Sequence, residues 1–221
     1  MMAVVMQLVS FLSILISITV CDDVFKLVNS SVQLEVKKKV DSPKLLIWSF
    51  GKMADSDYIV KYIPSLPSEV YRSKDKVEFN EETHSLTLKN LQKNDSGLYH
   101  AVAADKMTEI VAAYQLYVLD PVGKPVLNVS HQQHPETCNV TLTCGAQNLS
   151  ITSYCYNDNC NMKEEITAEG VSLSFSFDFS NSIIVCNHSN PVSWETTTME
   201  MKHVKQLCPF KAISMHTYCI L

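Results

Sequence analysis

The stretch Asp95-Ser-Gly-Leu-Tyr-His-Ala101 decides the fold of the first half of the chain. It matches the pattern D-x-G-x-Y-x-C at every position except the last, where alanine stands in place of cysteine. The pattern describes a sharp corner that leads into a strand, and the Tyr99 hydroxyl can hydrogen-bond back across that corner. We therefore expect Tyr99 and Ala101 to face a buried core and His100 to face the other way.

The chain upstream of this corner alternates between apolar and polar residues, as strands do. Ser31-Val-Gln-Leu-Glu-Val36 alternates, and Trp48 lies within an apolar run. A buried Trp at this distance from the corner predicts a V-type immunoglobulin-like sandwich. Val36 and Ala101 occupy the two positions of the usual disulfide between the sheets, so we expect apolar packing instead. The predicted core consists of Val36, Trp48, Asp95, Tyr99 and Ala101.

A second set of strand-like segments follows Asp120-Pro-Val-Gly-Lys-Pro125, whose prolines and glycine interrupt a sheet. Six cysteines lie within residues 138–208, an even number that suits a disulfide framework in an exported protein. Two of them fall on strands B and F of a second sandwich, which predicts the bridge Cys144–Cys186. We also favour Cys138–Cys208 and Cys155–Cys160, although six cysteines allow other pairings.

The beginning of the chain is an almost wholly apolar run that turns acidic at Asp22-Asp23, which predicts a signal peptide. No Lys or Arg precedes Lys26, so an uncleaved membrane anchor is the alternative. Clustered N-x-S/T sequons agree with passage through the secretory pathway. The predicted glycosylation sites are Asn29, Asn94, Asn128, Asn139, Asn148 and Asn187.

These features predict an all-β chain of two tandem immunoglobulin-like β-sandwiches, V-like and then disulfide-rich and constant-like. The expected divisions are a signal peptide (1–21), a V-like domain (22–119), a linker (120–125), a constant-like domain (126–208) and a short tail (209–221). The tail is too short and too polar to span a bilayer, which favours either a secreted product or a shortened version of a membrane protein.

Composition argues against most other functions. The formal net charge of -5 comes without a basic stripe, so a nucleic-acid partner is not expected. The chain has no Gly-rich phosphate loop and no G-x-S-x-G nucleophile turn, so we predict no enzyme, cofactor or small-molecule substrate. His131 and His134 lack the helix of a zinc motif, and exported cysteine pairs are usually cystine, so we predict no metal site. The expected partner is a protein.

The order of these features resembles an ectodomain of the signalling lymphocytic activation molecule (SLAM) family, in particular its short members with a GPI anchor. Val24 to Cys208 are covered, and the most discriminating segments are Leu119-Asp-Pro-Val-Gly-Lys-Pro-Val126 and Asn190-Pro-Val-Ser193. The resemblance implies an extracellular protein at the leukocyte surface that binds a related immunoglobulin-superfamily receptor, or itself, and modulates leukocyte activation. A secreted or truncated form that acts as a soluble decoy is the alternative.

In that family the front sheet of the first domain makes the contact, and strand alternation names the residues that it would use here. Side chains next to the predicted core residues should point outward, and exposed apolar residues among them would form a patch typical of interfaces. The alternative is that the assumed alternation is wrong and that they pack inside. The predicted contact residues are Ile47, Ser49, Lys61, His100, Val102, Glu109 and Val111.

Overall fold

The computed structural model of the protein describes residues 21–38, 43–52, 54–133, 138–156, 159–160 and 163–207. The chain forms two compact units, which divide between Asp120 and Pro121. Both consist almost entirely of strands, so the predicted all-β class is confirmed. Apart from Cys21, the predicted signal peptide lies outside the described residues, as do Cys208 and the tail after it.

Unit 1 is a sandwich of a six-stranded and a three-stranded sheet. Its strands are Asp22–Leu27 (β1), Val32–Leu34 (β2), Leu45–Lys52 (β3), Asp55–Tyr62 (β4), Glu69–Val70 (β5), Val77–Phe79 (β6), Leu86–Leu88 (β7), Gly97–Ala104 (β8) and Thr108–Leu119 (β9). The strand orders are β1-β9-β8-β3-β4-β5 and β2-β7-β6. β1 runs parallel to β9, and the remaining neighbours are antiparallel.

Apolar side chains fill the position where a V-type domain usually has a disulfide. Trp48 on β3 lies directly opposite Ala101 on β8, and neither side chain is exposed. Val36 is partly buried against the same core. The indole Nε1 of Trp48 donates a hydrogen bond to the carbonyl of His84 at 2.9 Å, so its polar atom is satisfied. The two sheets of unit 1 are therefore held together by packing around Trp48.

The corner before β8 has the hydrogen bond that its sequence predicts. Tyr99 Oη donates to the carbonyl oxygen of Asp95 at 2.8 Å, and burial raises the pKa of Tyr99 to about 12. Gly97 has a φ of 151°, and a Cβ there would lie 2.6 Å from the Phe50 ring. The glycine of the motif is needed because Phe50 packs directly against its backbone.

Unit 2 consists of two four-stranded antiparallel sheets, and each is a meander of strands consecutive in the sequence. Its elements are Val126–Gln133 (β10), Cys138–Ala146 (β11), Leu149–Tyr156 (β12), Asn159–Cys160 (β13), Lys163–Ala168 (β14), Val171–Asp178 (β15), Ile183–Asn190 (β16), Ser193–Glu200 (β17) and the helix Met201–Leu207 (α1). The strand orders are β10-β11-β12-β13 and β14-β15-β16-β17. The predicted disulfide between Cys144 on β11 and Cys186 on β16 is present and joins the two sheets.

Cys155 occupies an inward position on β12, where it is 3% exposed, whereas its neighbour Tyr154 is 65% exposed. Cys138 and Cys155 are both disulfide-bonded. Cys155 lies opposite Cys160 in the strand register, and Cys138 Sγ lies 3.9 Å from the carbonyl oxygen of Leu207. These positions agree with the remaining two predicted bridges, which stay predictions because their other halves lie among residues whose side chains are not described.

The segment predicted as a linker is attached to unit 2 by side chains of β16 and β17. Three hydrogen bonds reach its backbone: Val122 N to Ser193 Oγ at 2.9 Å, His188 Nδ1 to Gly123 O at 2.7 Å, and Thr197 Oγ1 to Pro125 O. His188 must carry its proton on Nδ1, because a carbonyl oxygen can only accept. Residues 122–125 are therefore an ordered part of unit 2.

Candidate partner-binding face

The outer face of the six-stranded sheet carries a row of five residues, one from each of five strands. Residues directly opposite each other on antiparallel strands face the same side. The register places Ile110 beside Val102, Val102 beside Ile47, Ile47 beside Lys61, and Lys61 beside Glu69. The three aliphatic side chains are partly exposed. This contact row is apolar on β9, β8 and β3, and it becomes charged on β4 and β5.

A β-bulge in β9 places Val111 in the core, although we expected it on the outer face. Ala101 lies opposite Ala112, and the next residue, Val102, lies opposite Ile110, so Val111 has no opposite residue on β8. A bulge adds one residue to a strand and reverses the alternation of its side chains. Val111 is only 2% exposed and packs in the core of unit 1. The prediction for Val111 is wrong, and Ile110 takes the outer position.

Ser49 and His100 point outward but are buried, so their prediction as exposed contacts is also wrong. They lie opposite each other, at 3% and 4% exposure, and His100 also lies opposite Ala113. Ser49, His100 and Ala113 thus form a second row on the outer face that is almost completely covered. His100 Nδ1 is buried and has no hydrogen-bond partner in the described part of the chain, and burial lowers the pKa of His100.

The two charged residues among the predicted contacts have different surroundings. Lys61 lies in the contact row, where its Nζ is 3.9 Å from Glu69 Oε2. Glu109 lies opposite Ala103, a core residue, because the bulge at Val111 has reversed the alternation. The Glu109 carboxylate reaches solvent at the start of β9 and forms an ion pair with Lys38. Glu109 therefore lies at the margin of the sheet and outside the contact row.

Two exposed tyrosines beside the contact row were not predicted. Tyr58 and Tyr71 are each 53% exposed, and their ring centroids lie 6.3 Å apart at an angle of 59°. Tyr71 Oη donates to the Glu69 carboxylate, and this hydrogen bond raises the pKa of Tyr71. Tyr58 lies opposite Ser49 because a second bulge, at Ile59, separates it from the rest of β4. Simple alternation could not have found Tyr58, since Ile59 interrupts it.

The outer face of this sheet carries few charges. At the opposite edge, Phe25 of β1 stacks on Tyr117 of β9, with centroids 4.8 Å apart and an interplanar angle of 12°. Among the described strand residues that the register places on this face, Asp23, Lys61 and Glu69 are the charged ones. Lys61 and Glu69 neighbour each other at the β4–β5 edge, and Asp23 lies on β1 at the opposite edge, so the middle strands β9, β8 and β3 place no charged residue on this face.

The predicted glycosylation sites of unit 1 lie away from this face. Asn29 follows β1, Asn94 lies in the 3-10 helix Lys93–Asp95, and both are exposed. The two sites are close to each other, because Asn29 N donates to Leu91 O at 2.7 Å and Gln92 Nε2 donates to Asn29 Oδ1 at 3.1 Å. Both sites lie outside the strands that form the outer face, so neither belongs to the contact row.

The four sequons of unit 2 differ in accessibility. Asn128 and Asn148 are exposed. The Oδ1 atom of Asn139 is buried without a partner in the described ranges, and Asn187 Oδ1 accepts a hydrogen bond from Thr196 Oγ1 at 2.9 Å. Occupancy at all six positions stays a prediction.

The described residues offer neither a metal site nor a membrane-spanning helix. In the part of the chain that the structure describes, no group of His, Cys, Asp and Glu side chains is arranged to hold a metal ion. His131 lies on β10, whereas His134 lies outside the described residues. Over the same described ranges, no helix has both the length and the apolar character required to cross a membrane.

Comparison with known sequences finds a similar curated protein of human origin. No profile of a known protein family matches the chain. Among curated proteins, human SLAM family member 7 is 25% identical in an alignment 176 residues long, which covers 75% of this chain and 51% of that protein. The chain thus spans about half the length of this relative.

Solved structures with the same fold include two immunoglobulin-superfamily proteins. The CD2-binding domain of CD58 (lymphocyte function-associated antigen 3) matches with a TM-score of 0.53 and 18% identity, over 80% of this chain and 95% of that one. Murine CEACAM1b matches with a TM-score of 0.55 and 20% identity, over 80% and 94%. These structures confirm tandem immunoglobulin-like sandwiches, and the match to SLAM family member 7 confirms the predicted resemblance to SLAM-family ectodomains.

Proposed function

We propose that this chain is an immune-cell adhesion or recognition ectodomain that binds a related immunoglobulin-superfamily receptor through the contact row of unit 1. The observation that carries the proposal is the set of three aliphatic side chains, Ile47, Val102 and Ile110, which lie side by side and partly exposed on a sheet. Contiguous apolar surface of this kind marks interaction sites. The similarity to SLAM family member 7 supports the class of partner.

The position of the sequons supports the same surface. Neither of the two sequons of unit 1, Asn29 and Asn94, lies on the outer face of the six-stranded sheet. A glycan is bulky and hydrated, so a surface used for protein contact must stay free of it.

A membrane-bound receptor and a secreted decoy would use the same contact row. Expression of the full-length protein in mammalian cells separates the two forms. Staining of washed cells together with an empty medium indicates the receptor, and capture of the product from the medium with unstained cells indicates the decoy.

The binding proposal is tested by a screen of the purified chain against leukocyte surface ectodomains, including itself, with Ile47→Asp as the variant. A buried carboxylate in an apolar contact has no partner, so we expect Ile47→Asp to abolish binding while the melting temperature stays the same. Val126→Asp is the matched control, because Val126 is an apolar residue of unit 2 with 58% exposure. Binding that survives Ile47→Asp would show that the partner docks elsewhere.

A further inference from the structure

We infer that the partner of this chain presents an immunoglobulin-like sheet face as poor in charge as this one, and that association is driven by apolar and aromatic contact rather than by opposite charges. The inference rests on the proposed function and specifies its partner. It depends on two observations, which are the charges available on the outer face and the aromatic side chains beside the contact row.

The charges on the outer face are few, and the Lys61–Glu69 pair at the β4–β5 edge is already matched. Lys61 Nζ lies 3.9 Å from Glu69 Oε2, and the two side chains are 33% and 55% exposed. Glu69 also accepts a hydrogen bond from Tyr71. A partner charge placed against this pair would meet one like charge for every opposite one. A charged partner residue over Ile47, Val102 or Ile110 would lose its hydration without gaining a counter-ion.

Two aromatic anchors stand beside the contact row. Tyr58 and Tyr71 are each 53% exposed, and their ring centroids lie 6.3 Å apart. Tyrosine loses little conformational entropy when it is buried, and it is enriched among residues that dominate binding energy. The centre of a protein interface is likewise poor in charge and rich in aromatic residues. The outer face thus has the composition of an interface centre, with Tyr58 and Tyr71 as its main anchors.

A neutral face also sets the kinetics of association. Charge steering accelerates association and makes it sensitive to salt, whereas neutral pairs associate at about 10⁵–10⁶ M⁻¹s⁻¹. Salt screens exposed charges but leaves apolar contact largely intact. The affinity of this chain for its partner should therefore change little with ionic strength.

The test uses the full chain and a panel of leukocyte immunoglobulin-superfamily ectodomains, displayed multivalently, that includes human SLAM family member 7 and a second copy of this chain. For each pair that binds, the dissociation constant is measured at about 50 mM and about 500 mM NaCl, and we expect a change below about threefold. Tyr58→Ala should weaken binding about tenfold or more, since this side chain is an anchor. The double variant Lys61→Ala with Glu69→Ala removes the charged pair and should weaken binding less than about threefold.

Each outcome has a separate meaning. Salt-insensitive binding that requires Tyr58 and Ile47 supports the inference. Binding that requires Ile47 but weakens steeply with salt, or that depends on the charged pair, overturns the inference and leaves the proposed function in place. Binding that is unchanged in the variants of Ile47, Tyr58 and the charged pair overturns the assignment of the face. A panel in which no pair binds overturns both proposals. Unchanged melting temperatures show that the variants remain folded.

Discussion

The two units connect their two sheets in different ways. Unit 1 joins strands that are far apart in sequence, as in the order β1-β9-β8-β3-β4-β5, and places Trp48 and Tyr99 at its centre. Unit 2 forms two meanders of consecutive strands and links them through Cys144 and Cys186. Interleaved strands hold both sheets of unit 1 in one network, whereas each meander of unit 2 can pair locally. A covalent bond between the meanders provides the long-range connection that the strand order of unit 2 lacks.

The composition of the two cores reflects this difference. In the described residues, the buried cluster of unit 1 contains a Trp, two Tyr and no Cys, whereas that of unit 2 contains three Cys and, as its one aromatic residue, Phe175. Large aromatic side chains bury the most apolar area per residue. A disulfide stabilises mainly by restricting the unfolded chain, so it can replace part of that burial. We therefore expect unit 1 to depend on side-chain volume and unit 2 to depend on the redox state.

The largest expected effect is the loss of Trp48. Trp48→Ala removes the fully buried indole opposite Ala101 and should lower the free energy of unfolding of unit 1 by about 3–5 kcal/mol. Hydrogen exchange of the full chain reports the two units separately, and unit 2 amides should keep their protection. Trp194→Ala is the control, because Trp194 is 74% exposed. Equal loss from the two variants would contradict a core centred on Trp48.

The next effect is the loss of the bridge in unit 2. Replacement of Cys144 and Cys186 by Ala together should lower the free energy of unfolding of unit 2 by about 2–5 kcal/mol. Unit 1 should keep its protection from exchange, since no cysteine other than Cys21 lies among its described residues. A loss of protection that extended equally through unit 1 would show that the two units do not unfold independently.

A smaller effect is expected at the corner of unit 1. Tyr99→Phe keeps the ring but removes the hydrogen bond to the Asp95 carbonyl oxygen, at a cost of about 1–2 kcal/mol. Chemical denaturation monitored in unit 1 measures the change. Tyr58→Phe is the control, since the Tyr58 ring is half exposed and should tolerate the change. An unchanged midpoint for Tyr99→Phe would mean that ring packing alone holds the corner.

The sequence predicted the framework of unit 1 because a few residues specify it locally. Tyr99 and Gly97 encode the corner, Trp48 encodes the core, and the alternation near them encodes the two sheets. The face of the sheet was harder to predict, since two bulges, at Val111 and Ile59, reverse the alternation. A bulge depends on how two strands match in the folded sheet, and neither strand shows it alone.

The sequence also could not show which residues of the outer face are buried. Alternation correctly turned Ser49 and His100 outward, but it cannot show that neighbours on other strands leave them almost no exposed surface. Tyr58 lies on β4 and Tyr71 directly follows β5, so the approach of their rings depends on how these two strands pair. In unit 2, the bridge Cys144–Cys186 was predictable because its spacing matches two strands with recognisable patterns, whereas the meander order was not.

The smallest expected effect is a dependence of unit 1 on pH through His100. Burial lowers the pKa of His100, so the unfolded chain, with a pKa of about 6.5 at this residue, takes up the proton more readily. The free energy of unfolding should therefore be highest above the unfolded pKa and should fall as the pH drops from about 7 towards 5. His100→Gln should flatten this slope.

His84, whose pKa burial also lowers, gives His84→Gln as a comparison. Because His84 lies beside Tyr62 and Phe79 rather than on the outer face, only His100→Gln should also make partner binding less sensitive to acid. If the free energy of unfolding depended on pH in the same way in the wild type and in His100→Gln, the prediction would be wrong. The folded state would then bind the His100 proton as readily as the unfolded chain does.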